Sequence, residues 1–492
     1  ATAGSGGTAV VWSDLQTTFL GKIAGNGAAG GGAAEISSAG DLRYVNLSGL
    51  DLGNGQLLLD PKNIVISDFS PSAVPPSVPF ASNPSGTENI DRSSLQSLLS
   101  TGTSVTLQAS NDIMFSSSSA LVVDNSAGNG GNLTLQAGRS VQIFSGISTD
   151  NGNLSITANS SLADGVIDAQ RDVGAASIMI GSTSTINAGS GSVSFQIKDG
   201  AGLTNNAAGI LILDGSVSAG QVSYSADKIT LLGSTSSLGR VVLAPFTAGR
   251  AIWLGATDSS SNLGLSDAEL KTILSASVLQ VGNASSGDIL LKDSIAPSVG
   301  TLSLQTGAGI SVANASGFQI TTNNLPLRSV GEIDLLGVFQ PVNTLAASVA
   351  GAGKFIGFHS ANTLTLGTVD GVSGITTNNG NAILTIETGD LTVNSSINVG
   401  SGLININSNA ENKLFTLSSG ASLTSAFAGT PTFVNTSCGS TLAICVRFDR
   451  MTIDGNITAS AANQLVELST SGSGSSGAID ISRAVVLGAD DT

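Results

Sequence analysis

The sequence predicts an all-β chain wound as a parallel β-helix, a solenoid whose short strands stack coil upon coil. Alternation is the first sign. Between Gly130 and Ala158, residues 132–136, 140–143 and 153–157 alternate polar and apolar side chains. Leu133, Leu135, Val141, Ile143, Leu154 and Ile156 therefore share one face of short strands, with Thr, Ser and Gln on the other. Repetition is the second, because Asn153-Leu154-Ser155-Ile156-Thr157 returns to nearly the spelling of Asn132-Leu133-Thr134-Leu135-Gln136 after 21 residues. A strand that short buries its apolar face only by stacking on its neighbours, which makes such a repeat one coil of an array. Punctuation is the third: Ala-Gly, Ser-Gly and Asp-Asn-Gly separate the runs, and these are turn residues that tolerate positive φ.

Composition agrees. Charged residues are 11% and aromatics 4%, against 62 glycines and a mean hydropathy of +0.30, so the chain has ample Val, Ile and Leu to bury and is no solvated disordered polymer. A length of 492 residues would ordinarily imply several domains, but a solenoid grows in one direction. The 34 acidic and 18 basic residues give a net charge of −16 with no basic cluster, which argues against nucleic acid and anionic lipid as partners. No apolar run approaches the ~20 residues of a membrane span. The chain opens at Ala1 inside a Gly-rich phrase, without initiator Met or signal peptide, and is expected to be a processed product or a section of something longer.

Residues 1–69 read as the first coils. They run from Gly6-Gly7-Thr8-Ala9-Val10-Val11-Trp12 through a Gly/Ala tract at 24–34 and Ala34-Glu35-Ile36-Ser37 to Leu57-Leu58-Leu59-Asp60-Pro61-Lys62-Asn63-Ile64-Val65-Ile66. The phrases GGTAVVWSD, TTFLGKIAG, the glycine tract with its following EIS, and LLLDPKNIVI stand in one order. Together they resemble the haemagglutination-activity-related repeats of filamentous haemagglutinin-type exoproteins, the large bacterial surface adhesins exported by two-partner secretion. The resemblance covers 1–66, thins over 90–300 and is weak after 320. It implies a right-handed coil, secretion to the bacterial cell surface or beyond, and service in cell adhesion as a shaft or filament section. The implied partners are glycans or proteins of host or neighbouring cells. The secretion-signal domain of such exoproteins has no counterpart in this sequence, so export by that route rests on the resemblance.

Residues 70–104 hold a Pro-rich excursion, with Pro71, Pro75, Pro76, Pro79 and Pro84, and a short helix over Ser93 to Leu99 that ends near Gly102. Coils resume over 105–260. Residues 261–407 form a helix–strand unit and a second β-helix stretch. In that unit Ser266-Asp267-Ala268-Glu269 has capping-box spelling, Leu270, Ile273 and Leu274 supply an apolar face, and a strand follows at 277–281. The two helix–strand copies, followed by Asp112-Ile113 and Asp288-Ile289, suggest duplication with a seam near 255–265. The spelling breaks over 408–450, read as an irregular insertion that carries Thr430-Pro431-Thr432, Cys438, Cys445, Arg447 and Asp449, and terminal coils follow over 451–492. Cys438 and Cys445 are expected to close a small disulfide loop in an oxidising compartment; the alternative is a reduced pair in a wide turn. About 20 to 25 residues per coil gives on the order of 20 coils and, at ~4.8 Å each, a rod roughly 100 Å long.

The chemical inventory is thin, and no catalytic, cofactor-binding or metal-binding residue and no cofactor is expected. His359 is the single histidine, and its setting Gly357-Phe358-His359-Ser360 is no nucleophile elbow, so a turn or coil-edge role is expected. Metal sites built on His or Cys fail on count, and no EF-hand or nonapeptide calcium repeat occurs. The nearest acidic pairs are Asp168 with Asp172 and Asp490 with Asp491. The enzyme alternative is a β-helix polysaccharide lyase or hydrolase, which needs carboxylates and a base gathered on one face. Asp124 and Asp150 with Arg139 come nearest, and their offsets do not stack them. Asn-X-Ser/Thr at Asn46, Asn132, Asn153, Asn159, Asn283, Asn314, Asn394, Asn435 and Asn456 is expected from composition alone, although related adhesins are glycosylated at such sequons. Asn-Gly turns are expected to stack as hydrogen-bonded ladders. Coil-like ends at 8–12 and 479–486 without a capping helix suggest continuation of the chain or head-to-tail association with a second copy.

Overall fold

The computed structural model describes residues 4–38, 41–68, 86–313, 317–428, 442–461, 464–470 and 477–487, and of residues 41, 43 and 44 the backbone only. The chain forms two units, Ala1–Thr247 with Thr272–Ser277, and Ala248–Lys271 with Val278–Thr492. Both are all-β, and each is a parallel β-helix.

In the N-terminal unit each coil contributes strands to three parallel stacks. One runs through Ala33–Ser37, Gln56–Asp60, Ser104–Ala109, Leu133–Ala137, Leu154–Ala158, Ser192–Ile197 and Gln221–Ser225. A second includes Asn63–Ser67, Ile113–Phe115, Val141–Ile143, Ala176–Ile180 and Ala208–Leu213. The third is built from pieces as short as Leu121–Val122 and Ile147–Ser148. Identical positions stack in register: Val105 on Leu133 on Leu154 on Val193, and Leu107 on Leu135 on Ile156 on Phe195. All eight are buried, as are Val141 and Ile143, while Thr134, Gln136 and Ser155 between them face outward. Each buried Leu or Ile contributes about 1.5–3 kcal/mol that an isolated strand could not gain. Phe195 and Tyr224 stack at 5.1 Å, and the buried Tyr224 hydroxyl is hydrogen-bonded to Thr235 Oγ1 at 2.6 Å, so no polar atom is stranded there. The register slips in places, between Thr17 and Thr18, Thr235 and Ser236, and Ala176 and Ile178. A register shift next to Ala176 makes Leu211 and Leu213 the buried pair of Ala208–Leu213, not Ile210 and Ile212.

Among the described residues two α-helices interrupt the coils. Helix α1 (Arg92–Ser100) starts where Asp91 Oδ2 accepts from Ser94 N at 2.8 Å. It buries Leu95, Leu98 and Leu99 and packs against the turn Leu47–Gly49 and the strand Leu121–Val122, in the position of a third-side strand. Helix α2 (Asp267–Lys271) has the expected capping box, with Ser266 N donating to Glu269 Oε2 at 2.9 Å and Glu269 N to Ser266 Oγ at 3.3 Å. Its apolar face is smaller than the spelling suggests. Only Leu270 is buried within it; Ile273 already begins the strand Ile273–Ser275, and Leu274 is 60% exposed.

The C-terminal unit begins with two facing stacks. One passes through Val278–Val281, Leu302–Gln305, Thr322–Ser329 and the eleven-residue strand Val342–Ala352; the other runs through Ala251–Leu254, Ile289–Leu291, Ile310–Val312, Ile333–Gln340 and Ile356–Ser360. At the long strand the first stack forks. Thr344 and Leu345 pair with Leu364–Leu366, whereas Ala347 to Val349 pair with Ile375–Asn378. Later coils are three-sided, as in Ala382–Ile386, Leu391–Val393 and Ile397–Asn398. The branches are joined by an antiparallel hairpin, Thr368–Val369 with Val372–Ser373. Inside 408–450, where the spelling breaks, Leu414–Leu417, Ser422–Ser425 and Ile444–Arg447 still take places in the stacks. Cys445 is buried there beside Leu442; Cys438, the Pro71 to Pro84 excursion and Thr430-Pro431-Thr432 lie outside the described residues. Among the described residues no helix is long and apolar enough to cross a membrane.

Candidate functional site: corner staples and a groove beside the hairpin

The scattered acidic and Asn side chains have a common use. At the corners of coils their oxygens accept the backbone N–H of the next coil. Asn132 Oδ1 takes Asn153 N at 2.8 Å, Asn153 Oδ1 takes Ser192 N at 2.8 Å, and Asn381 Oδ1 takes Leu403 N at 2.9 Å. Carboxylates do the same: Asp68 for Ser118, Asp112 for Ser140, Asp288 for Gly309 and Asp390 for Leu414, all between 2.8 and 3.0 Å. A corner breaks the strand ladder and leaves amides without a backbone partner, and an acceptor one coil below satisfies them. Ionisation is held accordingly. Hydrogen bonds from Ser118 and then Arg92 keep Asp68 well below the usual carboxylate range, and those from Thr204 lower Asp168. The Asn ladders expected from the turns are thus present, with amide oxygen and backbone N–H as the repeating bond. Among the sequon residues Asn159 is fully buried, and Asn314 and Asn435 lie outside the described residues.

The carboxylates singled out for catalysis are not brought together. Arg139 Nε donates to Asp112 Oδ1 at 2.9 Å and Nη2 to Asp112 Oδ2 at 2.5 Å. Asp150 sits at a different corner of the same coil and accepts from Asn125 N at 2.8 Å. Asp168 binds Thr204, while Asp172 binds Lys62 and Asn111; Asp490 and Asp491 lie outside the described residues. Among the described residues no three His, Cys, Asp or Glu side chains gather as a metal site requires. His359 lies within the strand Ile356–Ser360 instead of a turn. Its Nε2 is 3.0 Å from Glu387 Oε2, its Nδ1 3.2 Å from the Leu336 carbonyl, and Phe339 meets the ring edge-on at 5.2 Å. Both ring nitrogens are engaged, so neither is left to activate a nucleophile. Hydrogen bonds from Asn409 and then His359 lower the Glu387 carboxyl.

The hairpin at the fork folds over the outward side of Thr322–Ser329 and Val342–Ala352. Its tip residue Asp370, at φ +50°, lies 3.1 Å from Arg328 Nη1 and accepts from Ser303 Oγ at 3.0 Å; the Asp370 side chain is 8% exposed. Between hairpin and sheet lies an open groove of about 490 Å³, whose lining includes Gln305, Arg328, Ser348, Thr376, Val330 and Val372. The first four form one outward column, paired rung to rung. With Arg328 neutralised by Asp370, the column offers hydroxyl, amide and guanidinium hydrogen bonds without net charge, which suits an uncharged polar ligand. The hairpin over the column was not legible in the sequence, because Thr368–Val369 and Val372–Ser373 are two-residue strands.

No family model matches the chain, and no curated protein matches it.

Proposed function

We propose that the chain is an extracellular structural and adhesive protein, a right-handed β-helix shaft or filament section of a bacterial surface adhesin. It acts by multivalent contact with glycans or proteins of host or neighbouring cells. The supporting observation is that outward positions repeat one polar chemistry from coil to coil while the carboxylates are spent on corner staples. Ser194 Oγ donates to Ser155 Oγ at 3.2 Å, and Ser422 Oγ to Ser396 Oγ at 3.1 Å repeats the arrangement. A periodic face of weak contacts gains affinity from number, not from any one site. The groove beside the hairpin is where a single ligand unit would be held most closely. Cys445, buried next to Leu442, and Cys438 would form a disulfide in the extracellular setting.

End-to-end association with a second copy belongs to the same proposal. The last described coil leaves Ile479, Ile481, Val485, Val486 and Leu487 between 39% and 53% exposed, and one more coil, from the same chain or another, would cover them. Incubation of the purified chain with plant and bacterial polysaccharides separates the readings. Binding without new reducing ends or unsaturated products supports an adhesive shaft; catalytic release of either product establishes the lyase or hydrolase alternative.

A further inference from the structure

Residues 159–175, between the strands Leu154–Ala158 and Ala176–Ile180, do not run straight to the next coil. They fold back across the outward face of three earlier ones. Ile167 N donates to Ser110 Oγ at 3.1 Å, Arg171 Nε to the Gly138 carbonyl at 2.8 Å, and Asp172 is bridged to Lys62 at 3.0 Å. This segment covers an outward column in which Asp60 is followed by Gln108 and Gln136, next in line after the pairs Leu59–Leu107 and Leu107–Leu135. Asp60, Gln108, Gln136, Asp164 and Val166 line a half-open pocket of about 10 Å³, room for about one water molecule.

We propose that residues 159–175 are a pH-dependent strap, closed over this column in acid and loosened in neutral solution, with the Asp60 carboxyl as the proton sensor. Burial and then the neighbouring Glu35 push Asp60 up to about 6. Among the described residues no side chain donates to it. Ser37 Oγ, on the adjacent strand, gives its hydrogen bond to Glu35 Oε1 at 2.8 Å instead. Gln108 and Gln136 are neutral. The strap brings Asp164, already paired with Lys198 at 3.0 Å, and Arg171, whose donors are committed to Gly138, Asn159, Asp172 and Gly174. Loss of the Asp60 proton therefore puts an unpaired negative charge beside Glu35 and beneath the strap, where only added water can relieve it. Opening supplies that water and uncovers the column. Because the closed form holds its proton up to about 6 and the ordinary value is 3.8, opening becomes easier as pH rises between these values and levels off above them. The limit is roughly a hundredfold, and solvent reaching the half-buried carboxyl brings the expectation to roughly tenfold or more.

Hydrogen exchange of the full-length chain from pH 5 to pH 8, corrected for intrinsic rates, tests this. Over this range, which spans only the upper part of the window between 3.8 and about 6, amides of residues 162–172 should lose several-fold and at most about tenfold of their protection as pH rises, while those of Leu133–Ala137 keep theirs. Asp60→Asn should abolish the pH dependence and leave the strap closed throughout. Glu35→Gln, which keeps the sensor, should move the transition to lower pH. Strap protection independent of pH in the native chain, or an Asp60→Asn chain that still opens with rising pH, overturns the proposal.

Discussion

Asp60 is the residue at which chemistry and position conflict most, and the sign of the conflict is testable in stability as well as in exchange. Its folded carboxyl titrates at about 6 against 3.8 when unfolded, so between those values the folded chain holds more protons and its stability falls as pH rises. The full gap is worth about 3 kcal/mol, reduced to about 1–2 kcal/mol by solvent at a half-buried site. Asp60→Asn should therefore raise the stability of the N-terminal unit by about 1–2 kcal/mol at pH 7 and change it little at pH 4, in denaturant titrations at both. Arg171 is the opposite case, 2% exposed, with its guanidinium bonded both within the strap, to Asn159, and to the Gly138 carbonyl of an earlier coil. Arg171→Ala should cost about 3 kcal/mol or more and open the strap at every pH, since it strands buried acceptors. The sequence shows Asp60 only as a letter in a strand-like phrase. Its proton affinity depends on a cover folded back from more than 100 positions later, as the 110-residue separation of Lys62 and Asp172 illustrates.

Elements of period 2 were legible and those without a period were not. Ser104–Ala109, Leu133–Ala137 and their neighbours alternate cleanly because one side faces the coil interior and the other faces outward. The third side of the coil hides in strands of two residues such as Leu121–Val122 and Ile147–Ser148, too short to carry a pattern. The fork hides for a different reason, since one long strand serving two successors reads like any other apolar run. Helix α1 was legible from the run Ser93 to Leu99 and its end near Gly102, whereas its cap, Asp91, appears only in the structure. Asp91→Ala should destabilise it by about 1 kcal/mol, seen as faster exchange in residues 92–100 with the neighbouring strands unchanged. At the fork, Asp370→Ala removes the pin between hairpin and sheet and leaves Arg328 half-buried without its carboxylate. The expected result is a hairpin that exchanges and is cleaved by protease near 370–371 far faster, with the strands beneath still protected.

At the scale of the whole molecule, stability follows from stacking, and the proposed function would follow from it too. Each coil is held by the coils above and below, so a core truncation such as Leu135→Ala, costing about 3 kcal/mol, should weaken its own and adjacent coils first. Outward, the same repetition sets like polar groups on successive coils, and the proposed adhesion by number of contacts rests on that. The measurement that tests this most directly is binding of the purified chain to intact epithelial and bacterial cells, once as a soluble monomer and once displayed densely on beads. The account predicts weak, readily reversed binding by the monomer and firm attachment of the beads, rising steeply with surface density. Beads that fail to attach at any density, or a monomer that binds tightly and attaches no better when displayed, would contradict it.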